Sequence, residues 1–234
     1  MGAKMNQQEI LRRLEKLYDR SVQGVVNVSP PVDRLAKDYL EKCKEIDPAA
    51  KKFIRYQIAK CTLSGFVTGL GGVITMPVAV PINVGSVVYV QMRMIACLAR
   101  MGGYDIDSDQ VRTLIYACLA GIPIEQMLKR AGLQFSAKFT VAVVKKLPES
   151  LLTKINQRVG LKFLTKLGTK GAVNIGKAVP LFGGIFTGAI DFIETKVIAD
   201  RAYKIFIKGD LSGLAGEDEE DPETMDAVEA AEES

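Results

Sequence analysis

The chain contains no histidine and no tryptophan among its 234 residues, and aromatic side chains make up only 7% of it. Histidine is the commonest metal ligand and the side chain that most readily changes charge near neutral pH, so its absence excludes most familiar hydrolase and metalloenzyme sites. We therefore predict no catalytic residue, no metal and no cofactor. An enzymatic function is kept below as an alternative.

The four cysteines form no paired motif such as CxxC. They occupy apolar positions of helical patterns, which is typical of small buried hydrophobic side chains, and we predict that they are reduced, as in a cytosolic protein. They are Cys43, Cys61, Cys97 and Cys118. The segment from Met1 to Arg13 is polar and lacks the apolar stretch of a secretory signal, which agrees with a cytoplasmic location.

No stretch alternates apolar and polar residues with the period of two that a half-buried strand requires. Apolar residues recur instead every three or four positions, as Ile10, Leu14 and Leu17 do. We predict an all-α fold, a multi-helix bundle with two apolar helical hairpins broken by glycine and proline. The expected divisions are an N-terminal amphipathic helix in 1–30, a helical domain in 31–210 and a disordered acidic tail in 211–234.

The longest apolar run lies between Lys60 and Arg93, where the 32 residues 61–92 carry no charge. A membrane-spanning helix needs about 20 such residues. However, Pro77 and Pro81 would interrupt a helix, and the piece before Pro77 is roughly 22 Å long, short of an apolar slab of about 30 Å. The run therefore predicts either a hairpin that dips into one leaflet or two helices buried in a protein core.

A second uncharged run, 178–190, holds one proline and three glycines and ends at Asp191. Asp191 and Arg93 stand beside the two apolar runs, where an unpaired charge is costly. We predict that these two residues form an internal ion pair that ties the hairpins together. A lipid-headgroup site or a catalytic site is the alternative interpretation.

The net charge of +4 conceals a strong division along the chain. The segment 215–234 carries ten acidic side chains and no basic one, while the remaining 214 residues carry 31 basic and 17 acidic side chains. Residues 129–177 hold eleven of those basic side chains against Glu149 alone. A basic body with an acidic tail implies an anionic partner.

The helix predicted after Pro148 combines two ridges. A basic residue recurs every four positions and an apolar residue follows each one directly, so the basic ridge borders an apolar ridge. The basic positions are Lys154, Arg158, Lys162 and Lys166, and the apolar positions are Ile155, Val159, Phe163 and Leu167. This adjacency favours an anionic bilayer over nucleic acid, which would call for stacking aromatics. A solvated ridge without a partner is the third interpretation.

Together these patterns predict a helical protein that binds an anionic membrane surface at the inner face of the plasma membrane and has no catalysis of its own. A membrane transporter or another membrane protein is a candidate partner, and no nucleic acid is expected. The alternatives are a soluble enzyme or lipid-binding protein whose apolar run lines an internal pocket, and a nucleic-acid-binding module. The residues predicted to insert in the membrane are Phe66, Val67, Leu70, Val73, Ile74, Met76, Val78 and Val80. The residues predicted to contact anionic lipid are Lys154, Arg158, Lys162, Lys166, Lys170 and Lys177.

Several short motifs resemble the EcsC protein family in their order and spacing, over roughly Asp33 to Ile207. They are Gly65 to Pro81, Gln91-Met-Arg93, Gly102-Gly-Tyr-Asp105, Arg112-Thr-Leu-Ile-Tyr116, Asn156-Gln-Arg-Val-Gly160, Val179-Pro-Leu-Phe-Gly-Gly184 and Gly188-Ala-Ile-Asp191. The resemblance implies this helical architecture and a bacterial protein of the cytoplasm or the membrane. The family takes its name from a gene that neighbours an ABC transporter, and the resemblance carries over no reaction and no site residue.

The opposite charges of tail and body predict that the tail competes with anionic lipid for the basic face. A chain that ends at Leu214 is therefore expected to bind anionic vesicles more tightly than the full chain, because the competing carboxylates are gone. Liposome flotation of the two chains side by side measures the difference. Equal binding would remove this hypothesis.

Overall fold

The computed structural model describes the backbone of residues 7–25, 29–69, 85–133, 138–172 and 194–211, and the side chains of these ranges except 60–69, 85–87 and 165–172. Every regular element in these ranges is a helix, and the one pairing of extended backbone among them is an isolated bridge between Val25 and Ser29. The predicted all-α bundle is therefore confirmed. The turns of the predicted hairpins and the acidic tail lie outside the described residues.

The helices follow one another along the described chain with short connections. They are α1 (Gln7–Gln23), α2 (Val32–Cys43), α3 (Ile46–Gly69), α4 (Gly85–Met101), α5 (Asp109–Ala120), α6 (Ile124–Arg130), α7 (Val141–Val144), α8 (Glu149–Ala172) and α9 (194–208), whose last turn, Lys204–Lys208, is π-helical.

Helix α4 is the centre of the bundle. From Met92 to Ala99 each side chain is at most 5% exposed, so this stretch has no solvent-facing side. A helix that is apolar nearly all round must be covered by neighbours in every direction. Helices α1, α2, α3, α5 and α9 pack against α4 and supply that cover.

Helix α1 is amphipathic, as its spacing predicts. Ile10, Leu14 and Tyr18 lie one turn apart and are buried in the core that also contains α4 and α8. The Tyr18 hydroxyl donates a hydrogen bond of 2.6 Å to the carbonyl oxygen of Ile106, which fixes α1 to the loop after α4. The division of the chain at residue 30 stays a prediction.

Side-chain hydrogen bonds explain where α5 begins, while α3 begins earlier than its sequence predicts. Ser108 accepts a hydrogen bond from the Val111 amide at 3.4 Å and so caps α5. The Asp47-Pro48 pair predicts Asp47 as the N-cap of α3 and Pro48 as its first helical residue. The helix instead begins at Ile46, because the Glu45 carbonyl already accepts from the Ala49 amide, and the Asp47 carboxylate is used elsewhere.

The turn after α4 packs against the end of α9 without room for a side chain. A Cβ at Gly102 would stand 2.0 Å from the carbonyl oxygen of Phe206, which is backbone and cannot rotate away. The rings of Tyr104 and Phe206 meet edge to face beside this contact, with centroids 5.2 Å apart. Glycine at position 102 therefore sets the distance between α4 and α9.

Gly102→Ala is expected to lower the free energy of unfolding by about 3 kcal/mol, because the added methyl group forces two backbones apart. Gly103→Ala is the matched control: Gly103 has φ of +82° but open space around its Cβ, so alanine there should cost about 1 kcal/mol of backbone strain. Urea denaturation of both variants measures the two losses. An equal loss for the two variants would contradict the packing argument.

Candidate functional site

The predicted basic ridge lies on α8. Lys154 is exposed, Arg158 and Lys162 are partly exposed, and burial together with the charge of Arg130 lowers the pKa of Arg158. Lys166 and Lys170 belong to the same helix, although their side chains are outside the description, and Lys177 lies outside the described residues altogether. The basic residues from Lys154 to Lys170 therefore lie on one continuous helix, which is described as far as Ala172.

The apolar ridge beside it faces the protein core. Ile155 and Val159 are fully buried, and Phe163 packs against the same core. Helix α8 packs through this side against α1 and α5. The hypothesis that this ridge contacts lipid is therefore wrong for Ile155 and Val159, because the pattern of burial leaves them no surface to offer.

Most of the residues predicted to insert in the membrane lie outside the part of the chain that the structure describes. Phe66 and Val67 have helical backbone within α3, while the other six predicted positions, from Leu70 to Val80, lie outside the described residues. Within the described ranges, none of the helices combines the length and apolar character that crossing a membrane requires.

Arg93 is buried and bonded to backbone carbonyls. Its guanidinium donates to the carbonyl oxygen of Ser21 at 2.7 Å and to that of Pro30, so it joins α4 to the end of α1 and to the connection before α2. Burial lowers the pKa of Arg93. Its predicted partner, Asp191, lies outside the described residues, so the pair stays a prediction.

Gln91 provides a second buried polar contact of α4. Its side-chain amide donates to the Thr195 hydroxyl at 3.1 Å, and both residues are buried. Because a buried amide without partners is costly, this bond specifies how α9 lies on α4. Gln91 stands near the end of the uncharged run 61–92, where a polar side chain needs a partner, and no local signal in the sequence identifies Thr195 as that partner.

The first half of α3 presents a cationic and aromatic surface that the sequence analysis missed. We call the exposed residues Lys51, Lys52, Arg55 and Tyr56 the α3 surface. Tyr56 is 51% exposed, so it presents part of its ring to solvent beside these cations. The signal in the sequence was the run of basic residues directly before the uncharged run.

One carboxylate organises the edge of the α3 surface. Asp47 pairs with Lys51 at 2.7 Å and with Lys208 at 2.5 Å, and it accepts a hydrogen bond from the Tyr203 hydroxyl. The two lysine nitrogens also lie 5.9 and 5.5 Å from the centre of the Tyr203 ring. The contacts with Lys208, Lys51 and Tyr203 hold the pKa of Asp47 well below its usual range, and Asp47 raises the pKa of both lysines.

The remaining cations of the α3 surface have no acidic partner within the described part of the chain. Lys52 forms no ion pair there, and Arg55 donates only a long hydrogen bond of 3.4 Å to the Lys51 carbonyl. These side chains border an open concavity of about 560 Å³ that Cys43, Asp47 and Pro48 also line. Such an arrangement can attract phosphate or carboxylate groups from solvent.

Within the described ranges no three potential metal ligands from histidine, cysteine, aspartate and glutamate come together. Comparisons of the chain with protein-family models, with curated proteins and with solved structures find no match. The resemblance to the EcsC family therefore rests on the motifs given above and stays a prediction.

The described cysteines are free, and two of them are deeply buried. Burial raises the pKa of Cys97 well above its usual range and that of Cys118 to about 12. Cys43 is partly exposed beside the α3 surface. A thiol must ionise to act as a nucleophile, so Cys97 and Cys118 are structural side chains rather than candidates for catalysis.

Iodoacetamide at a pH of about 8 is expected to alkylate Cys43 in the native protein and to leave Cys97 and Cys118 unmodified, because only accessible thiolates react. Peptide mapping by mass spectrometry resolves the three positions. After unfolding in guanidinium chloride all three should react, which is the positive control. Native-state alkylation of Cys97 or Cys118 at the rate of Cys43 would contradict the burial described above.

Proposed function

We propose that the protein binds the surface of an anionic membrane, with the α3 surface in the headgroup layer and the end of α3 directed toward the acyl chains. The observation that supports this proposal most is the composition of α3. Exposed cations and an exposed tyrosine occupy its first half, and the same continuous helix carries the beginning of the uncharged run, from Cys61 to Gly69.

The chemistry of the α3 surface matches the interfacial region of a bilayer. Each lysine or arginine near an anionic leaflet is worth about 1 kcal/mol. Tyrosine is enriched at this level of membrane proteins, because its ring is apolar and its hydroxyl is polar. Lys52, Arg55 and Tyr56 provide all of these groups within about one helical turn.

The described part of the uncharged run suits insertion into one leaflet. Its nine residues, 61–69, extend about 14 Å along a helix, roughly half of a hydrocarbon core of about 30 Å. Further along the sequence, Pro77 and Pro81 would interrupt a helix that continued across the bilayer. The proposal therefore keeps the hairpin interpretation of the run 61–92.

The basic ridge of α8 is proposed as a second, purely electrostatic contact. Lys154 and the following basic positions add attraction over a wider area, while Ile155 and Val159 contribute to the core and leave no apolar surface there. The resemblance to the EcsC family supports a bacterial protein at the inner face of the plasma membrane, and an accessory role beside a membrane transporter is proposed on that basis. No reaction is proposed.

Replacing Lys52 and Arg55 together by glutamine is expected to weaken binding to vesicles of equimolar phosphatidylcholine and phosphatidylglycerol by about 30-fold, because two headgroup contacts are lost. Flotation at fixed ionic strength measures the partition. Lys145→Gln with Lys146→Gln is the matched control, since it removes two exposed lysines elsewhere on the protein. Asp47→Asn should act in the opposite direction, because it releases Lys51 and Lys208 from their carboxylate.

Three results would count against the proposal. The first is equal binding of the α3 variant and the control variant, which would show a general charge effect. The second is tight binding to pure phosphatidylcholine that salt does not alter. The third is a gel shift with random DNA at a salt concentration where anionic vesicles do not bind, which would favour the nucleic-acid alternative.

A further inference from the structure

A partly enclosed cavity lies where α5, α8 and α9 meet. Its volume is about 250 Å³. The lining residues are Leu119, Ala120, Lys162, Phe163, Glu194, Val197, Ile198 and Arg201. The wall therefore combines apolar side chains with three charged ones, which is the composition of a site for an amphiphilic ligand.

A glycine determines where the guanidinium of Arg201 lies. Gly121 ends α5 with φ of +69°, in the left-handed region that favours glycine. A Cβ at this position would stand 2.6 Å from Nη1 of Arg201. The guanidinium thus lies against the end of α5, in space that the Cβ of any other residue would occupy.

The guanidinium of Arg201 has N–H groups that can donate to a ligand. Arg201 forms no ion pair and no hydrogen bond to another residue in the part of the chain that the structure describes. Its five N–H groups form a rigid fork that fits carboxylate or phosphate oxygens two at a time. Lys162 and Glu194 have interactions of their own, so the argument rests on Arg201 alone.

The groups beside Arg201 are apolar. Val197 lies one helical turn before it on α9 and is 42% exposed, which leaves methyl groups uncovered at the rim of the cavity. Phe163, Leu119 and Ile198 continue the apolar wall. A ligand whose anionic head reached Arg201 would therefore lay its aliphatic part on Phe163 and Val197.

We propose that this cavity binds the anionic head and first methylenes of a single-chain amphiphile. The shared chemistry is a carboxylate or a phosphate monoester on one alkyl chain. The size of the cavity supports one chain: a water molecule takes about 30 Å³ of liquid volume, so the cavity holds about eight non-hydrogen atoms. A diacyl lipid is too large. The proposal is independent of membrane binding by the α3 surface.

Titration calorimetry of the full chain without vesicles tests the cavity, with decanoate, decyl phosphate, decanol and inorganic phosphate as four separate probes. The two anionic amphiphiles should bind, and decanol and inorganic phosphate should bind at least 10-fold more weakly, because each lacks one half of the recognised chemistry. The ratio of the affinities for decanoate and decyl phosphate distinguishes a fatty acid from a lysolipid type of head.

Arg201→Gln should weaken binding of decanoate by about 10- to 100-fold, because a charge-assisted pair of hydrogen bonds is lost. Lys196→Gln, an exposed position on the same helix, is the matched control and should leave the affinity unchanged. Val197→Glu is a second variant at an exposed site. Its carboxylate lies one turn from Arg201, should pair with it and should weaken binding while the helix is preserved.

Decanoate affinity that is the same in Arg201→Gln, Val197→Glu and the parent chain would overturn the proposal. So would decanol binding as tightly as decanoate, or the absence of binding by all four probes. Each of these results leaves the flotation experiment on the α3 surface unaffected, so the two proposals fail separately.

Discussion

The bundle depends on complete coverage of α4. The stretch from Met92 to Ala99 has no exposed face, so α4 is stable only where helices surround it. Arg93 makes this requirement specific. A guanidinium inside that environment needs acceptors, and the carbonyl oxygens of Ser21 and Pro30 provide them. The position of one buried charge therefore determines where α1 ends and how the chain reaches α2.

Most of the helical framework could be predicted, because amphipathic spacing is a local property of the sequence. In α5 the apolar residues Val111, Leu114, Ile115 and Cys118 recur every three or four positions, and all four are buried. Ser108 caps that helix because a hydroxyl at this position meets a free amide three residues later. Helix α3 begins two residues before Pro48, the predicted first helical position, and the Asp47 carboxylate pairs with Lys51, Lys208 and Tyr203 instead of capping the helix.

The surfaces were less predictable than the helices. Two ridges one residue apart on α8 are neighbours by geometry, but spacing alone does not tell which of them turns toward the core. The burial of Ile155 and Val159 was decided by α1 and α5, which are distant in sequence. The contact of Gly121 with Arg201 is of the same kind, since it joins residues far apart in the chain and has no signature in either local sequence.

Helix α9 links the two surfaces for which functions are proposed. Val197 and Arg201 line the cavity, and Tyr203 and Lys208 contact Asp47 at the edge of the α3 surface. These positions span twelve residues, roughly 16 Å of helix, so a shift of α9 along its axis would alter the cavity and the α3 surface together. The Gln91–Thr195 bond and the close approach of Gly102 to Phe206 resist such a shift from opposite ends of the helix. The geometry of the cavity and of the α3 surface therefore depends on how α9 packs against α4. A substitution in α9 that changes one of them is expected to change the other as well.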